Sequence, residues 1–153
     1  MTPSKSAAPK SAASEAHQRQ LFATPVLETR VPNADAINAR LLPLIRDRQK
    51  NTKGMIRSNV NGWHSDEELL NWGGDAAHAI AVAVIETCSR FTTDTQMKDD
   101  QPRFAWTVQM WANVSPAGAS NQYHAHPGAV WSAVYYVDDG GAPATGPLIL
   151  LDP

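Results

Sequence analysis

The segment with the clearest chemical potential contains two histidines. His124 and His126 are separated by one residue, and side chains at i and i+2 of an extended chain point to the same side. Two imidazoles placed in this way can occupy neighbouring positions on one transition-metal ion. The spacing therefore predicts a metal site at His124 and His126, to which another part of the chain must add a third ligand. Two exposed loop histidines that bind nothing would give the same pattern.

The other histidines and the single cysteine have simpler explanations. His17 lies in the Ser- and Ala-rich N-terminal segment, His78 lies within a helical pattern, and His64 follows a tryptophan in a predicted loop. We expect His64 to pack or to cap a helix. Cys88 is expected to be a small core side chain. A single cysteine excludes an internal disulfide framework and a zinc cluster built from cysteines.

Two helices are predicted before the histidine pair. Asn33 is a candidate cap for a helical pattern in which Pro43 is expected to cause a kink or a restart. A second helix is predicted over 66–90, with Ser65 to Glu68 as its capping box. We expect this second helix to pack across the sheet of the domain.

Strands are predicted on both sides of the histidine pair. Hydrophobic residues recur at every second position over 104–114, which predicts a strand with one face in the core. Residues 129–137 are apolar on both faces, as in a central strand, and residues 148–151 begin another strand. Residues 21–31 have strand composition, but Pro25 favours an edge position. Helices and strands in this order predict an α+β fold.

Composition narrows the functional class. The chain has 153 residues with 13 basic and 15 acidic side chains, which fits one domain. This balance gives no electrostatic basis for binding nucleic acid, and no apolar run reaches the about 18 residues that a membrane span needs.

The N-terminal segment also bears on domain organisation. Residues 1–20 are predicted to be a disordered tail and residues 21–153 the folded domain. Because no apolar segment of a signal peptide follows the early lysines, we expect a cytoplasmic protein; an organellar transit peptide is the alternative. The last predicted strand has barely begun when the sequence ends at Pro153, so we expect the sheet to be incomplete.

Five motifs, taken in order, carry a resemblance to a known family. The first three motifs are F-x-T-P-V at Phe22 to Val26, S-N-x-x-G-W-x-S-D at Ser58 to Asp66, and W-x-N continuing to H-x-H-P-G at Trp111 to Gly128. The last two are S-G-V-Y-Y-V at Ser132 to Val137, with Ala133 in place of glycine, and G-x-L-x-x-x-D-P at Gly146 to Pro153. Over residues 21–153, the chain resembles the 2-oxoglutarate/Fe(II)-dependent dioxygenases, and more narrowly a bacterial group related to prolyl hydroxylases. The resemblance implies a double-stranded β-helix, which is jelly-roll-like, with flanking helices.

The resemblance also implies cofactors and site residues. The family uses Fe(II), with 2-oxoglutarate as co-substrate, to hydroxylate a C–H bond of a small molecule or a peptide. Its iron is held by a His-x-Asp pair and a distal His, so the resemblance implies His124 and His126 as ligands, with His126 standing where the family has Asp. Either both bind and the site lacks the carboxylate, or only one of them is a ligand. Tyr135 matches a position that contacts the co-substrate in relatives, unless it is a core tyrosine. Asn113 either binds the co-substrate or satisfies a strand edge.

Two departures from the family limit the expected activity, the His-x-His pair in place of His-x-Asp and the absence of two distal residues. The family's distal His and its 2-oxoglutarate-binding Arg lie beyond the D-P motif, so we expect the 153-residue chain alone to be inactive.

Two other functions fit the same residues. A cupin-type metal protein matches the opening Gly118, His124 and His126, but Val130 and Trp131 stand where that motif needs Glu. A non-catalytic binding or scaffolding domain is the second of these two.

Overall fold

The chain is described by a computed structural model. Its described residues are 23–94, 105–141 and 146–151. The predicted disordered tail, residues 1–20, lies outside them.

Two units make up the chain, residues 29–150 and the two terminal segments 1–28 and 151–153. The described residues of the terminal unit, 23–28 and 151, contain no helix or strand. All the elements named below belong to residues 29–150.

Three helices provide the apolar core. α1 spans Ala34–Asn51, the short α2 spans Leu69–Trp72, and α3 spans Gly74–Phe91. α3 packs against both α1 and α2, and each helix buries the stripe of side chains that faces its neighbours. The buried cluster consists of Ile37, Leu41, Ile45, Leu69, Ala76, Ala77, Ile80 and Ala112.

α1 begins where the sequence predicts but does not restart at its proline. It continues through Pro43, because burial of Leu41 and Ile45 on either side offsets the backbone hydrogen bond that proline cannot make. Asn33 occupies the N-cap position in a left-handed conformation with φ 56°, and its side chain makes no capping hydrogen bond. Its carbonyl accepts a hydrogen bond from the Ile37 N–H at 3.1 Å.

The predicted helix over 66–90 is divided into α2 and α3, so its boundaries are wrong. Gly74 has φ +58°, a left-handed conformation that cannot continue an α-helix and that glycine adopts at no steric cost.

The predicted capping box at Ser65 to Glu68 is also wrong. Ser65 is fully buried, and its hydroxyl accepts a hydrogen bond from the Ala112 N–H at 2.9 Å. Asp66 takes the local role instead and accepts a hydrogen bond from the Glu68 N–H at 3.2 Å.

An antiparallel ribbon joins two segments that are distant in the sequence. β1 (Asn59–Val60) pairs with β4 (Ser120–Asn121), and β2 (Trp63–His64) pairs with β3 (Asn113–Val114). Hydrogen bonds extend the pairing at both ends, from the Gln122 N–H to the Ser58 carbonyl at 2.8 Å and from the Ser65 N–H to the Ala112 carbonyl at 2.9 Å. We call residues 58–65 and 112–122 together the antiparallel ribbon.

The strand predicted over 104–114 is much shorter than expected. Phe104 lies outside the described residues, and within 105–114 the strand is limited to β3, with a single bridge from Met110 to Glu68. The alternation itself is confirmed, because the side chains at even positions from 106 to 114 are more buried than most of their neighbours. The segment is extended against the helices, but only its end meets a partner strand.

Three other predicted strands are wrong. Residues 129–137, 148–151 and the described residues of 21–31 form no strand. Tyr135 and Val137 do pack against the buried cluster, whereas Val130 and Val134 are exposed. Apolar composition alone cannot make a strand, since a ladder also needs a partner.

The α+β class is confirmed by the helices and the small antiparallel sheets. In the described part of the chain, each sheet has two strands, so the predicted packing of one helix across a sheet of 104–114, 129–137 and 148–151 is wrong. Among the same residues, no helix is both long and apolar enough to cross a membrane.

Candidate functional site

The two histidines lie in a loop whose ends are both held. On the N-terminal side, the Gln122 N–H donates to Ser58 and so attaches the loop to the antiparallel ribbon. On the C-terminal side, the Ala129 N–H donates to the His126 carbonyl at 3.1 Å. Pro127 and Gly128 are the central residues of this turn, and φ +83° at Gly128 is the conformation that the third position of a type II turn requires. The turn fixes the backbone of His126.

The rings of His124 and His126 lie side by side and are exposed. Their centroids are 4.8 Å apart and their planes meet at 67°. A metal lies about 2.0–2.1 Å from a ligating imidazole nitrogen, so two imidazoles on one metal have centroids about 4.5–5 Å apart. The observed separation allows two ligands of one ion, and it is also the distance of an ordinary edge-to-face ring contact.

The orientation of His124 is also suited to metal binding. Its Nδ1 lies 2.8 Å from the Gln122 carbonyl oxygen. A carbonyl can only accept a hydrogen bond, so Nδ1 is the donor in this contact and Nε2 is the ring nitrogen left to face a metal. Metal-ligating histidines usually have their second nitrogen held in this way.

Trp111 connects the histidine pair to the protein interior. The His126 ring stacks with the Trp111 ring at a centroid distance of 5.7 Å and an angle of 27°. On Trp111, the His64 ring makes a second stacked contact at 5.6 Å and 14°. The four rings of His64, Trp111, His126 and His124 therefore form a continuous series, which we call the ring series.

His64 is the most firmly held member of the ring series. It is 5% exposed, its Nδ1 donates to the Ser65 carbonyl at 2.6 Å, and its own carbonyl accepts a hydrogen bond from the Met55 N–H at 2.8 Å. Pairing of β2 with β3 holds its backbone as well. The expectation that His64 packs is confirmed, but what it packs against is the tryptophan beside the histidine pair.

Trp111 is a site residue that was not predicted, although the sequence carries a signal for it. In the alternating pattern over 104–114, Trp111 stands on the outward face together with Thr107, Gln109 and Asn113. A large apolar ring on a polar face needs a covering partner, and here the rings of His64 and His126 stack on it.

A third protein ligand does not complete the site within the described residues. Among them, no three His, Cys, Asp or Glu side chains converge as a metal-binding group. His64 therefore adds no ligand to His124 and His126. The two imidazoles fit part of an iron site, and the donors that would complete a two-His-one-carboxylate set are not among the residues that converge there.

The structure places the two predicted co-substrate residues in different surroundings. Asn113 is exposed in β3 and pairs with His64. Tyr135 lies beside α1, where its hydroxyl donates to Asn38 Oδ1 at 2.7 Å, and burial raises its pKa. It lines an open cleft of about 630 Å³ whose walls include Arg30 but no histidine. Binding of 2-oxoglutarate by Asn113 and Tyr135 stays a prediction.

Cys88 takes no part in the candidate site. It is buried in α3, and burial raises the pKa of its thiol, so the thiol is neutral at pH 7. The expectation that Cys88 is a core side chain is confirmed.

A charged contact supports the segment that follows His64. The Arg48 guanidinium pairs with the Asp66 carboxylate and lies over the Trp72 ring, 5.5 Å from its centroid. Trp72 donates its indole N–H to Asp66 Oδ1 at 2.8 Å. The hydrogen bond from Arg48 holds the pKa of Asp66 below its usual value, against the opposing effect of burial. The end of α1 is thereby attached to α2 and to the end of the antiparallel ribbon.

Comparison with known proteins supports the resemblance in the same part of the chain. A model of the family described as "Putative 2OG-Fe(II) oxygenase" matches residues 109–150. The matched segment is less than half of the 153 residues and includes Trp111, both loop histidines and Tyr135. A search of curated proteins and a search of solved structures each found no match.

The Asp66 contact predicts a specific pH dependence. Because the folded-state pKa of Asp66 lies below the ordinary value of 3.8, its contribution to stability is present above that pH and is lost as the pH falls through the folded-state pKa. We expect Asp66→Asn to lower the free energy of unfolding at pH 7 by about 1 kcal/mol, since the pair is partly exposed. This deficit should shrink as the pH falls from 5 to 2.

Urea unfolding of both proteins over that pH range measures the effect. Asp75→Asn, at an exposed aspartate in the first turn of α3, is the matched control and should show a smaller change. An Asp66→Asn deficit that stays constant with pH would contradict the role given to the carboxylate.

Proposed function

We propose that residues 21–153 are the N-terminal and central part of a 2-oxoglutarate- and Fe(II)-dependent dioxygenase domain, in which His124 and His126 bind the metal. The observation that carries the proposal is the 4.8 Å separation of two exposed imidazoles within the segment that the oxygenase family model matches. In such a domain, bound Fe(II) supplies the redox chemistry that couples oxidation of 2-oxoglutarate to hydroxylation of a C–H bond.

The contribution of this chain is to hold the two ligands ready. His124 is oriented by the Gln122 carbonyl, and the turn over 126–129 fixes the backbone of His126. A site assembled before the metal arrives loses less conformational entropy on binding. Because residues 121–130 are exposed, a metal held by the two histidines would be accessible to further ligands and to co-substrate.

Replacement of the family's Asp by His126 changes the charge at the site. Two neutral imidazoles leave the full charge of a divalent ion uncompensated, whereas a carboxylate would reduce it by one. We therefore propose that this site binds Fe(II) more weakly than a His-x-Asp pair would, and that it also accepts other divalent ions that favour imidazole, such as Co(II) and Zn(II).

The finer features of the proposal follow from the resemblance. They are a double-stranded β-helix, kinship with the bacterial prolyl-hydroxylase-like group, a cytoplasmic location, and a small-molecule or peptide substrate. The near balance of 13 basic and 15 acidic residues supports a partner other than nucleic acid. Metal binding without turnover is the second candidate function, favoured by the two-imidazole donor set.

Metal titration of single variants tests the ligand assignment. We expect His124→Ala and His126→Ala each to lower the affinity for Co(II) at least tenfold, because each removes one of two donors. Isothermal titration calorimetry measures the change. His78→Ala removes an exposed histidine from α3 and should leave the affinity unchanged. Equal affinity in all four proteins would contradict the assignment.

The His126→Asp variant distinguishes the two roles open to that residue. If His126 is a ligand, Asp restores a carboxylate donor, and the variant should bind Co(II) at least as tightly as the wild type. Affinity of His126→Asp equal to that of His126→Ala would show that the side chain at 126 does not reach the metal.

We also predict that the 153-residue chain alone does not turn over 2-oxoglutarate. An open facial site needs about three protein ligands, and within the described residues no third one converges on the pair. The measurement is succinate formed from 2-oxoglutarate in the presence of Fe(II) and ascorbate, with and without candidate substrates. The double variant His124→Ala/His126→Ala is the control. Succinate above that control would contradict the prediction.

A further inference from the structure

We infer that His64 and Trp111 are positioning residues for His126. His64 acts through the contact of its ring with Trp111, rather than through its hydrogen bond to the Ser65 carbonyl. The inference rests on the proposed metal-binding function, which it deepens. Neither residue is a ligand, because His64 does not converge on the loop histidines as part of a metal-binding group.

The backbone on either side of Trp111 is fixed. Ala112 exchanges hydrogen bonds with Ser65 in both directions, from the Ser65 N–H to the Ala112 carbonyl and from the Ala112 N–H to Ser65 Oγ, each at 2.9 Å. On the other side, the Met110 carbonyl accepts a hydrogen bond from the Leu69 N–H at 3.1 Å. Trp111 is thus the single residue between two anchored neighbours, and its ring leaves the backbone from a defined place.

The ring of Trp111 then needs a second constraint, and His64 supplies it. The two planes are within 14° of parallel at a centroid distance of 5.6 Å, which lies in the range of favourable aromatic contacts. His64 is buried and held by hydrogen bonds through both its ring and its backbone. A rigid ring on one side of Trp111 restricts its rotamers, and the restricted indole provides the surface on which the exposed His126 ring stacks at 5.7 Å.

His126 has few other constraints. Residues 121–130 are all exposed, and the turn over 126–129 fixes only the backbone of His126. An exposed histidine side chain free to rotate would lose rotamer entropy when it binds a metal. Stacking on Trp111 removes part of that loss before binding, so the ring series should raise metal affinity without adding a donor.

Two substitutions at His64 separate the ring from the hydrogen bond. His64→Phe keeps the aromatic face but loses the donor to Ser65, whereas His64→Asn keeps a donor near the Nδ1 position but loses most of the face. If the ring positions His126, Phe should leave the Co(II) affinity within about twofold of wild type, and Asn should lower it about three- to tenfold. Affinity that is retained by Asn and lost by Phe would overturn the inference.

Proton NMR of the His126 ring provides a readout without metal. In the wild type and in His64→Phe, the Trp111 ring current should shift the C–H signals of His126 away from their random-coil positions. In His64→Asn, which keeps the indole, these signals should move toward the positions that they have in Trp111→Leu, where the ring current is absent. His126 signals in His64→Asn that stay at the wild-type positions would overturn the inference. Urea midpoints for each variant identify any that unfold; if His64→Asn does, the Co(II) affinity of Trp111→Leu decides in its place, with a three- to tenfold loss expected and an unchanged affinity overturning the inference.

The two readouts also separate this inference from the proposed function. If the wild type binds no Co(II) while the His126 signals still follow the ring at position 64, the proposed function fails and the positioning role stands. If Co(II) binding requires His124 and His126 but is the same in the wild type, His64→Asn and Trp111→Leu, the proposed function stands and the positioning role is wrong.

Discussion

Backbone hydrogen bonds between residues 58–65 and residues 112–122 hold together the two segments that carry the candidate site. The antiparallel ribbon is short, with two residues in each of its four strands, and each backbone group it pairs would be costly to bury unpaired. Ser65 strengthens it from within, because its buried hydroxyl adds a bond to Ala112. This pairing places His64 beside Trp111. It also fixes the point at which the chain leaves the ribbon and begins the histidine loop.

The helical core supports the antiparallel ribbon from one side. Leu69 and Ala112 belong to the same buried cluster as the residues of α1 and α3, so the apolar packing that stabilises the helices also fixes the position of β3. Arg48 and Asp66 add a polar attachment at the edge of this core. Apolar burial supplies most of the stability, and the Arg48–Asp66 contact attaches the end of α1 to the segment that follows His64.

The exposed end of the ring series is where chemistry becomes possible. Burial decreases along it, from His64 at 5% exposure to the exposed His126 and His124. A metal site needs accessible donors on a rigid support, and this gradient provides both. The same support would serve an oxygenase domain or a metal-binding domain without turnover.

Local features of the site could be predicted from the sequence, but the long-range contacts could not. The i, i+2 spacing led to the prediction of His124 and His126, and the alternation predicted over 104–114 correctly gave the buried face of the described residues 105–114. The capping box at Ser65 failed because a residue 47 positions away took its hydroxyl, and no local pattern encodes that contact. The strands over 129–137 and 148–151 failed for a related reason, since composition specifies apolar side chains but not the partner that a ladder needs.

One NMR experiment tests most directly the claim that a metal binds at the histidine pair beside Trp111. Co(II) is added stepwise to ¹⁵N-labelled protein, and the indole N–H signals are followed, with that of Trp111 assigned from the Trp111→Phe variant. A paramagnetic ion on His124 and His126 should shift or broaden the Trp111 signal at the lowest metal additions, while the Trp72 signal, which belongs to the Arg48 contact, changes less. A Trp111 signal that stays unchanged, or that changes no more than the Trp72 signal, would contradict the account.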